Sequence, residues 1–218
     1  MRVAIAGAGK VGRAIARELL SNGHQVLLID KEPAKARADV VPGADVLLGD
    51  TCEIAVLDEA DLPSCQVMIA ATGDDKVNLV VSLLAKTEYG VPRVVARVNH
   101  PKNEWMFDES WGVDVAVSTP RMLSALVEEA VTVGDLVRLF TFRQGDANLV
   151  EMTLPASAGV VGSRVGDVTW PVDTALVAII RDSRVIAPSP DDSLEAGDEL
   201  LFVASDEQES ALEDLLGD

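Results

Sequence analysis

The chain predicts an α/β protein: a doubly wound parallel sheet of six strands, followed by a small α+β domain. Three observations lead there. Short, wholly apolar runs alternate with stretches that repeat apolar residues at helical spacing over residues 1–133. A glycine turn joins the first such run to the first such stretch. Past Gly134-Asp135 the pattern changes to alternating strands around turn residues.

Arg2-Val3-Ala4-Ile5-Ala6 is the first strand, apolar enough for burial on both faces. Gly7-Ala8-Gly9-Lys10-Val11-Gly12 follows as a strand-to-helix turn, and residues 13–20 continue as a helix. Gly7 permits the tight turn, Gly9 lets a phosphate approach the backbone without meeting a Cβ, and Gly12 lets the helix pack closely on the sheet. The helix start offers free N–H groups and a partial positive charge to an anion. The second strand, Gln25-Val26-Leu27-Leu28-Ile29, ends in Asp30, about twenty residues downstream, where a carboxylate can accept both hydroxyls of a ribose. Strand, turn, helix, strand and acid in that order read as a site for an adenosine phosphate.

Residues 31–38, charged and alanine-rich, suit a brief surface helix that Pro42-Gly43 ends. Residues 44–48 form the third strand, and Gly49-Asp50-Thr51 sits at its carboxyl end, the edge where ligands bind an open parallel sheet. Thr51 is placed to cap the following helix; Asp50 serves equally as a cap or a ligand contact. The fourth strand, 66–71, runs into Thr72-Gly73-Asp74-Asp75, so a cofactor could touch the backbone of Ala71, Thr72 and Gly73. The helix beyond it, 76–89, carries Asn78 in its first turn and Val77, Val80, Val81, Leu84 and Ala85 on one face. Pro92 introduces the fifth strand, 93–98, in which Arg97 needs an anion, either a phosphate or a neighbouring carboxylate. Asn99-His100-Pro101 starts a helix through Trp105, Met106 and Phe107 that ends near Trp111-Gly112, with His100 in a capping or surface role. The sixth strand, 113–117, leads through Ser118 or Thr119 to a helix whose first position is Pro120. Its broad apolar face, with Met122, Leu123, Leu126 and Val127, faces either a second subunit or the chain's own tail. Six strands alternating with helices are two mononucleotide-binding halves, a Rossmann-like domain.

In the remainder, 136–142 and 149–154 read as strands around the turn 144–148, residues 162–168 as a short helix or turn, and 175–180, 184–186 and 200–204 as further strands. A helix over 206–216 closes the chain. The acidic stretch 191–199 lacks the ligand spacing of a calcium loop and reads as a solvated loop.

The 218 residues carry 18 basic and 36 acidic side chains, a formal charge of −18, which argues against nucleic-acid or anionic-lipid partners. No apolar run approaches the roughly 18–20 residues that span a bilayer, and no leader pattern opens the chain, so a soluble intracellular protein is expected. Cys52 and Cys65 have neither C-x-x-C spacing nor a nearby His and read as reduced thiols; no metal site is expected.

The glycine turn, Asp30, Gly49-Asp50-Thr51, Ala71-Thr72-Gly73-Asp74-Asp75 with Asn78, Ala96-Arg97-Val98-Asn99 and the tail phrase Leu194-Glu195-Ala196-Gly197-Asp198-Glu199-Leu200 resemble the regulatory subunits of Trk/Ktr-type bacterial potassium uptake systems. Those proteins carry an RCK (regulator of conductance of potassium) nucleotide-binding domain and a small C-terminal ligand domain, which maps here to 1–133 and 134–218. The resemblance implies a cytoplasmic protein, peripheral at the inner face of the membrane through a potassium-translocating subunit (TrkH/KtrB-like). It implies assembly into dimers and a ring, and transport gated by NAD(H) or ATP/ADP. By position, Gly7, Gly9 and Gly12 would hold the phosphates, Asp30 the adenosine ribose, and Asp50 and Thr51 the adenine side; Ala8, Lys10, Val11, Lys31, Ala71, Thr72, Gly73, Asn78 and Arg97 complete the set. Two positions depart from relatives: Lys10 replaces a frequent Arg and loses its bidentate fork, and Arg121 follows Pro120 where some relatives have an acid, which disfavours metal-assisted binding there.

Two other functions share this fold: an NAD-dependent oxidoreductase, and a soluble nucleotide sensor with no membrane partner. The first needs a proton donor near the nicotinamide, for which the chain offers His24, His100 and Tyr89 as imidazole or phenol candidates.

Overall fold

β1 (Arg2–Ala6) and β2 (Gln25–Asp30) are apolar along nearly their whole length because both of their faces are covered. Val3, Ile5, Val26 and Leu28 pack with Ala16 of α1 (Lys10–Ser21) on one side. Ala4, Ala6, Leu27 and Ile29 pack with Leu57 of α2 (Ile54–Glu59) and Leu79, Val81 and Ala85 of α3 (Asp75–Thr87) on the other. Alternate residues of one strand therefore feed two cores, the signature of a doubly wound sheet. Ile5 and Leu28 are fully enclosed, each worth about 1.5–3 kcal/mol of burial.

The computed structural model describes residues 1–131, 134–142 and 147–217. Contacts divide the chain into two units, Met1–Pro120 and Arg121–Asp218. In the first, β3 (Asp45–Leu48), β4 (Val67–Ala70), β5 (Arg93–Val98) and β6 (Val115–Ser118) complete a parallel six-stranded sheet in the order β3-β2-β1-β4-β5-β6. The strand order reverses between β1 and β4, and an open sheet of this kind has its crevice at that reversal. The helix after β6, α4 (Thr119–Val131), begins at the end of this unit and continues into the second, and leaves Met122, Leu123, Leu126 and Val127 between 46% and 62% exposed.

The second unit is built on an antiparallel sheet in the order β10-β9-β11-β8-β7, from β7 (Val137–Thr141), β8 (Ala147–Thr153), β9 (Thr174–Arg181), β10 (Arg184–Ile186) and β11 (Glu199–Ser205). Leu212 and Leu216 of α5 (Glu209–Leu216) pack with Val150, Met152, Leu200 and Phe202 of the sheet. Asp182 and Ser183, both at positive φ, make the two-residue turn joining β9 to β10. Asp198, 1% exposed, is matched by Arg181 through Nε at 2.6 Å and Nη2 at 2.7 Å.

Several expectations need correcting. Residues 31–38 form turns, not a helix: two bonds onto the Glu32 carbonyl close one turn, too little to offset helix nucleation. Thr51 caps nothing; it is 4% exposed, and α2 starts after Glu53 without a side-chain cap. Val80 is exposed, and the buried face of α3 is carried by Asn78, Leu79, Val81, Ser82 and Ala85. The segment after β5 is two 3₁₀ stretches, Pro101–Met106 and Glu109–Trp111, because Pro101 and the Asp108 cap break it into short turns. Ser118 Oγ is buried and makes no capping bond. The short helix or turn expected over residues 162–168 needs no correction: it is a 3₁₀ turn at Val165–Asp167. Gln144-Gly145-Asp146 of the expected turn 144–148, and Val133, the last residue of the expected first domain, lie outside the described residues.

Candidate functional site

A crevice of about 630 Å³ opens at the carboxyl ends of β1, β2, β3 and β4. Its floor is the glycine turn. Gly7, at φ 101°, turns beside the Thr72 backbone, where a Cβ would come within 3.0 Å of Thr72 Cα. A Cβ on Gly12 would lie 1.9 Å from the Gly7 carbonyl oxygen, so this glycine sets how closely α1 approaches the turn. Gly9 is different: nothing lies within 4 Å of its missing Cβ, which leaves open space over the start of α1.

That start is available to an anion. Gly9 is the N-cap of α1, no side chain caps the helix, and its first turn holds no acid. The other helix opening beside the crevice is already served: Asp74 accepts from the Lys76 N–H at 2.8 Å, and Asp75 adds a carboxylate to the first turn of α3. A negative ligand is therefore drawn to α1 and not to α3.

Asp30 stands at the end of β2, its Oδ2 accepting from the Ala8 N–H at 2.8 Å and its Oδ1 from the Glu32 N–H at 2.9 Å. Two bonds leave further acceptor capacity on the carboxylate for a diol. Across from it Asp50 accepts from the Cys52 N–H at 3.0 Å, and Lys31 Nζ lies 3.5 Å from Asp50 Oδ2. The Cys52 bond, then the Lys31 charge, holds the Asp50 carboxyl below its ordinary range against the opposing effect of burial. Burial first, then the Asp50 charge, pushes the neighbouring Cys52 thiol up, so it is not an activated nucleophile.

Arg97, on β5, reaches the crevice wall with its Nε buried and without a hydrogen-bond partner. Of the two partners weighed for this cation, a carboxylate is not found among the described residues. A guanidinium left this way carries a desolvation cost that an anion in the crevice would offset.

Twelve of the residues singled out from sequence line the crevice: Gly7, Gly9, Lys10, Val11, Asp30, Lys31, Asp50, Thr51, Ala71, Thr72, Gly73 and Arg97. Ala8, Gly12 and Asn78 do not. Ala8 is buried behind the turn with its N–H on Asp30, Gly12 packs against Gly7, and Asn78 lies beneath Thr72, its Oδ1 accepting from the Thr72 N–H at 3.0 Å and hydroxyl at 2.6 Å. Sequence reasoning left Ile29, Glu32, Lys35, Gly49, Asp74 and Val77 out of the lining set. Glu32 and Lys35 follow Asp30 in a turn, not a helix, and pair with each other at 2.6 Å at the crevice mouth.

None of the three proton-donor candidates lines the crevice. His24 precedes β2 at the opposite edge of the sheet, His100 accepts the Lys102 N–H at 3.2 Å as the cap of Pro101–Met106, and Tyr89 donates to Asp58 at 2.8 Å and to the Ile54 carbonyl. Burial and the Asp58 carboxylate push the Tyr89 phenol up to about 12. No cluster of potential metal ligands occurs among the described residues, and no helix among them is long and apolar enough to cross a membrane.

Fold and crevice together define a class: a doubly wound domain of the dinucleotide-binding type joined to a small antiparallel α+β unit. A family model described as the TrkA-N domain matches residues 3–119, and one described as the TrkA-C domain matches 149–217. The chain is 58% identical over 216 residues to the Trk system potassium uptake protein TrkA of Mycobacterium tuberculosis, covering 99% of this chain and 98% of that one. It is 37% identical to a TrkA homolog of Methanothermobacter thermautotrophicus over 90% of each chain. Among solved structures, the GsuK channel bound to NAD superposes with a TM-score of 0.71 at 19% identity; the likeness takes in all of this chain and 39% of that one, and shows the shared fold. The chain belongs to the TrkA family of Trk-system potassium uptake proteins.

Proposed function

We propose that this protein is a cytoplasmic regulatory subunit that binds NAD(H) or ATP/ADP in the crevice and, by doing so, gates a potassium-translocating membrane subunit of the TrkH/KtrB type. The observation that carries the reading is the convergence, at one strand-order reversal, of an uncapped helix start over Gly9, the Arg97 Nε, buried and without a partner among the described residues, and the Asp30 carboxylate. The first two suit phosphates and the third a ribose diol. In this arrangement Gly7, Ala8, Gly9, Lys10, Val11 and Gly12 form the phosphate turn, with Ala8 and Gly12 shaping it from behind. Asp50 and Thr51 border the adenine, and Ala71, Thr72, Gly73 and Arg97 line the far wall, with Asn78 acting through Thr72.

Residues 1–133 would constitute the RCK N-terminal domain and 134–218 the C-terminal regulatory domain. Self-association into dimers and a ring would use the exposed α4 face of Met122, Leu123, Leu126 and Val127, whose apolar surface a monomer leaves in water. Peripheral attachment then comes through the transport subunit, in keeping with a charge of −18 that an anionic membrane repels. An oxidoreductase reading has less support, since no His or Tyr lines the crevice. The reading is tested by potassium flux into vesicles holding the membrane subunit: flux that changes with nucleotide only when this protein is present supports it, and flux indifferent to nucleotide overturns it.

A further inference from the structure

Asp75 is a buried charge that the crevice itself does not use. It is 8% exposed, lies outside the crevice lining, and has no cation partner among the described residues. Its carboxylate is instead met by four N–H donors. Oδ1 accepts from the Asn99 backbone at 2.6 Å and side chain at 3.0 Å; Oδ2 accepts from the His100 backbone at 3.0 Å and the Asn103 side chain at 2.8 Å. Every donor comes from the segment that follows β5.

The same segment is tied to the crevice wall. Asn99 Nδ2 also donates to the Thr72 carbonyl at 3.0 Å, while Asn78 Nδ2 donates to the Arg97 carbonyl at 2.8 Å. Thr72 and Arg97 face the crevice; Asn78, Asn99 and Asp75 do not. Drawing residues 99–103 away would strand a buried carboxylate with nothing to replace its donors. The turn after β4 and the segment after β5 are therefore bound to move as one body.

We propose that Asp75 is a positioning residue that makes residues 99–106 follow the occupant of the crevice, so that a nucleotide touching Thr72, Gly73 or Arg97 alters the exposed surface around Trp105, which is 77% exposed. The inference rests on the crevice being a nucleotide site. It gives that site an output within its own domain, distinct from any change in subunit packing.

Hydrogen exchange of the full chain, with and without saturating NADH or ADP, tests it beside calorimetry of the same samples. In the natural protein, nucleotide should slow exchange in residues 99–106 as well as in 71–78. In Asp75→Ala the response at 99–106 should vanish while that at 71–78 persists and affinity falls by less than about tenfold. Asn103→Ala removes one donor, leaves the crevice lining untouched, and should shrink the response at 99–106; it serves should Asp75→Ala not fold. A merely structural Asp75 would speed exchange equally with and without nucleotide, leaving their difference intact, and that result overturns the proposal. Binding with no response at 99–106 in the natural protein overturns it alone. Absence of any heat of binding removes the nucleotide reading and this inference with it.

Discussion

Asp30 Oδ2 accepts the backbone N–H of Ala8 at 2.8 Å, so the acid at the end of β2 also fixes the glycine turn at the end of β1. The group suited to a ribose and the loop suited to phosphates are thereby held in one register before any ligand arrives. Such preorganisation lowers the ordering cost of binding.

Replacing Asp30 by Ala removes both the diol acceptor and the anchor of Ala8. A hydrogen bond to a charged group contributes about 1.5–3 kcal/mol, so affinity for NAD(H) and for adenine nucleotides should fall together by about tenfold or more. Calorimetry with both ligand types checks this; unchanged affinity for either would remove Asp30 from that ligand's site. NADP(H) should bind the natural protein more weakly than NAD(H), because its ribose phosphate would meet the carboxylate.

Gly9 and Gly12 should fail in different ways. Gly12→Ala drives a Cβ to 1.9 Å from the Gly7 oxygen, which forces α1 away from the turn and should cost about 1–3 kcal/mol of stability or more. Gly9→Ala meets nothing within 4 Å and keeps φ at −71°, so its melting temperature should stay close to that of the natural protein while nucleotide binding is lost to the new methyl group. Thermal melts paired with titrations separate the two; equal destabilisation would contradict the assignment of Gly9 to open space.

Arg97→Met should leave the fold standing, since no carboxylate partner among the described residues is abandoned and the buried, unpartnered Nε is removed. Affinity for phosphate-bearing ligands should drop by about tenfold or more, and the salt dependence of binding should become shallower. A large fall in melting temperature with unaltered affinity would make Arg97 structural.

Acid should weaken the first unit through Asp75. Burial alone would raise this carboxyl, but the bonds from the Asn99 backbone, the Asn103 and Asn99 side chains and the His100 backbone together hold it below its ordinary value. A depressed carboxyl contributes stability that is complete above its unfolded value of about 3.9 and is lost as pH falls through the folded value. Melts from pH 7 to 3 should show the gap between the natural protein and Asp75→Ala constant near neutrality and closing in acid; a gap that stays constant throughout would contradict the assignment.

Much of the fold and crevice could be read from the sequence because the relevant signals are local. The wholly apolar β1 and β2, the glycine spacing and the acid at the end of β2 each occupy a few consecutive residues, and Gly7, Gly9, Asp30 and Thr72 all meet at the crevice. What escaped was decided at long range. Val80 has the right spacing for a buried face, yet α3 is oriented by Asn78, which spends its polar atoms on Thr72 and Arg97, so the face that sequence periodicity marks is rotated. From sequence Asp75 is only the last residue of the turn Thr72-Gly73-Asp74-Asp75, and only the return of residues 99–103, some 24 to 28 positions later, gives it four donors. Glu32 and Lys35 escaped for a smaller reason: a charged, alanine-rich stretch resembles a helix, while its residues close only one turn at the crevice mouth.

The central claim is that the crevice at the reversal between β1 and β4 takes an adenosine-bearing anion. Calorimetric titration of the purified protein with NADH, NAD, ATP and ADP, with and without divalent cation, tests it most directly. The account predicts saturable binding of at least one of them that Gly9→Ala abolishes without loss of fold. Heat absent from all four titrations, or binding that Gly9→Ala leaves intact, would contradict it.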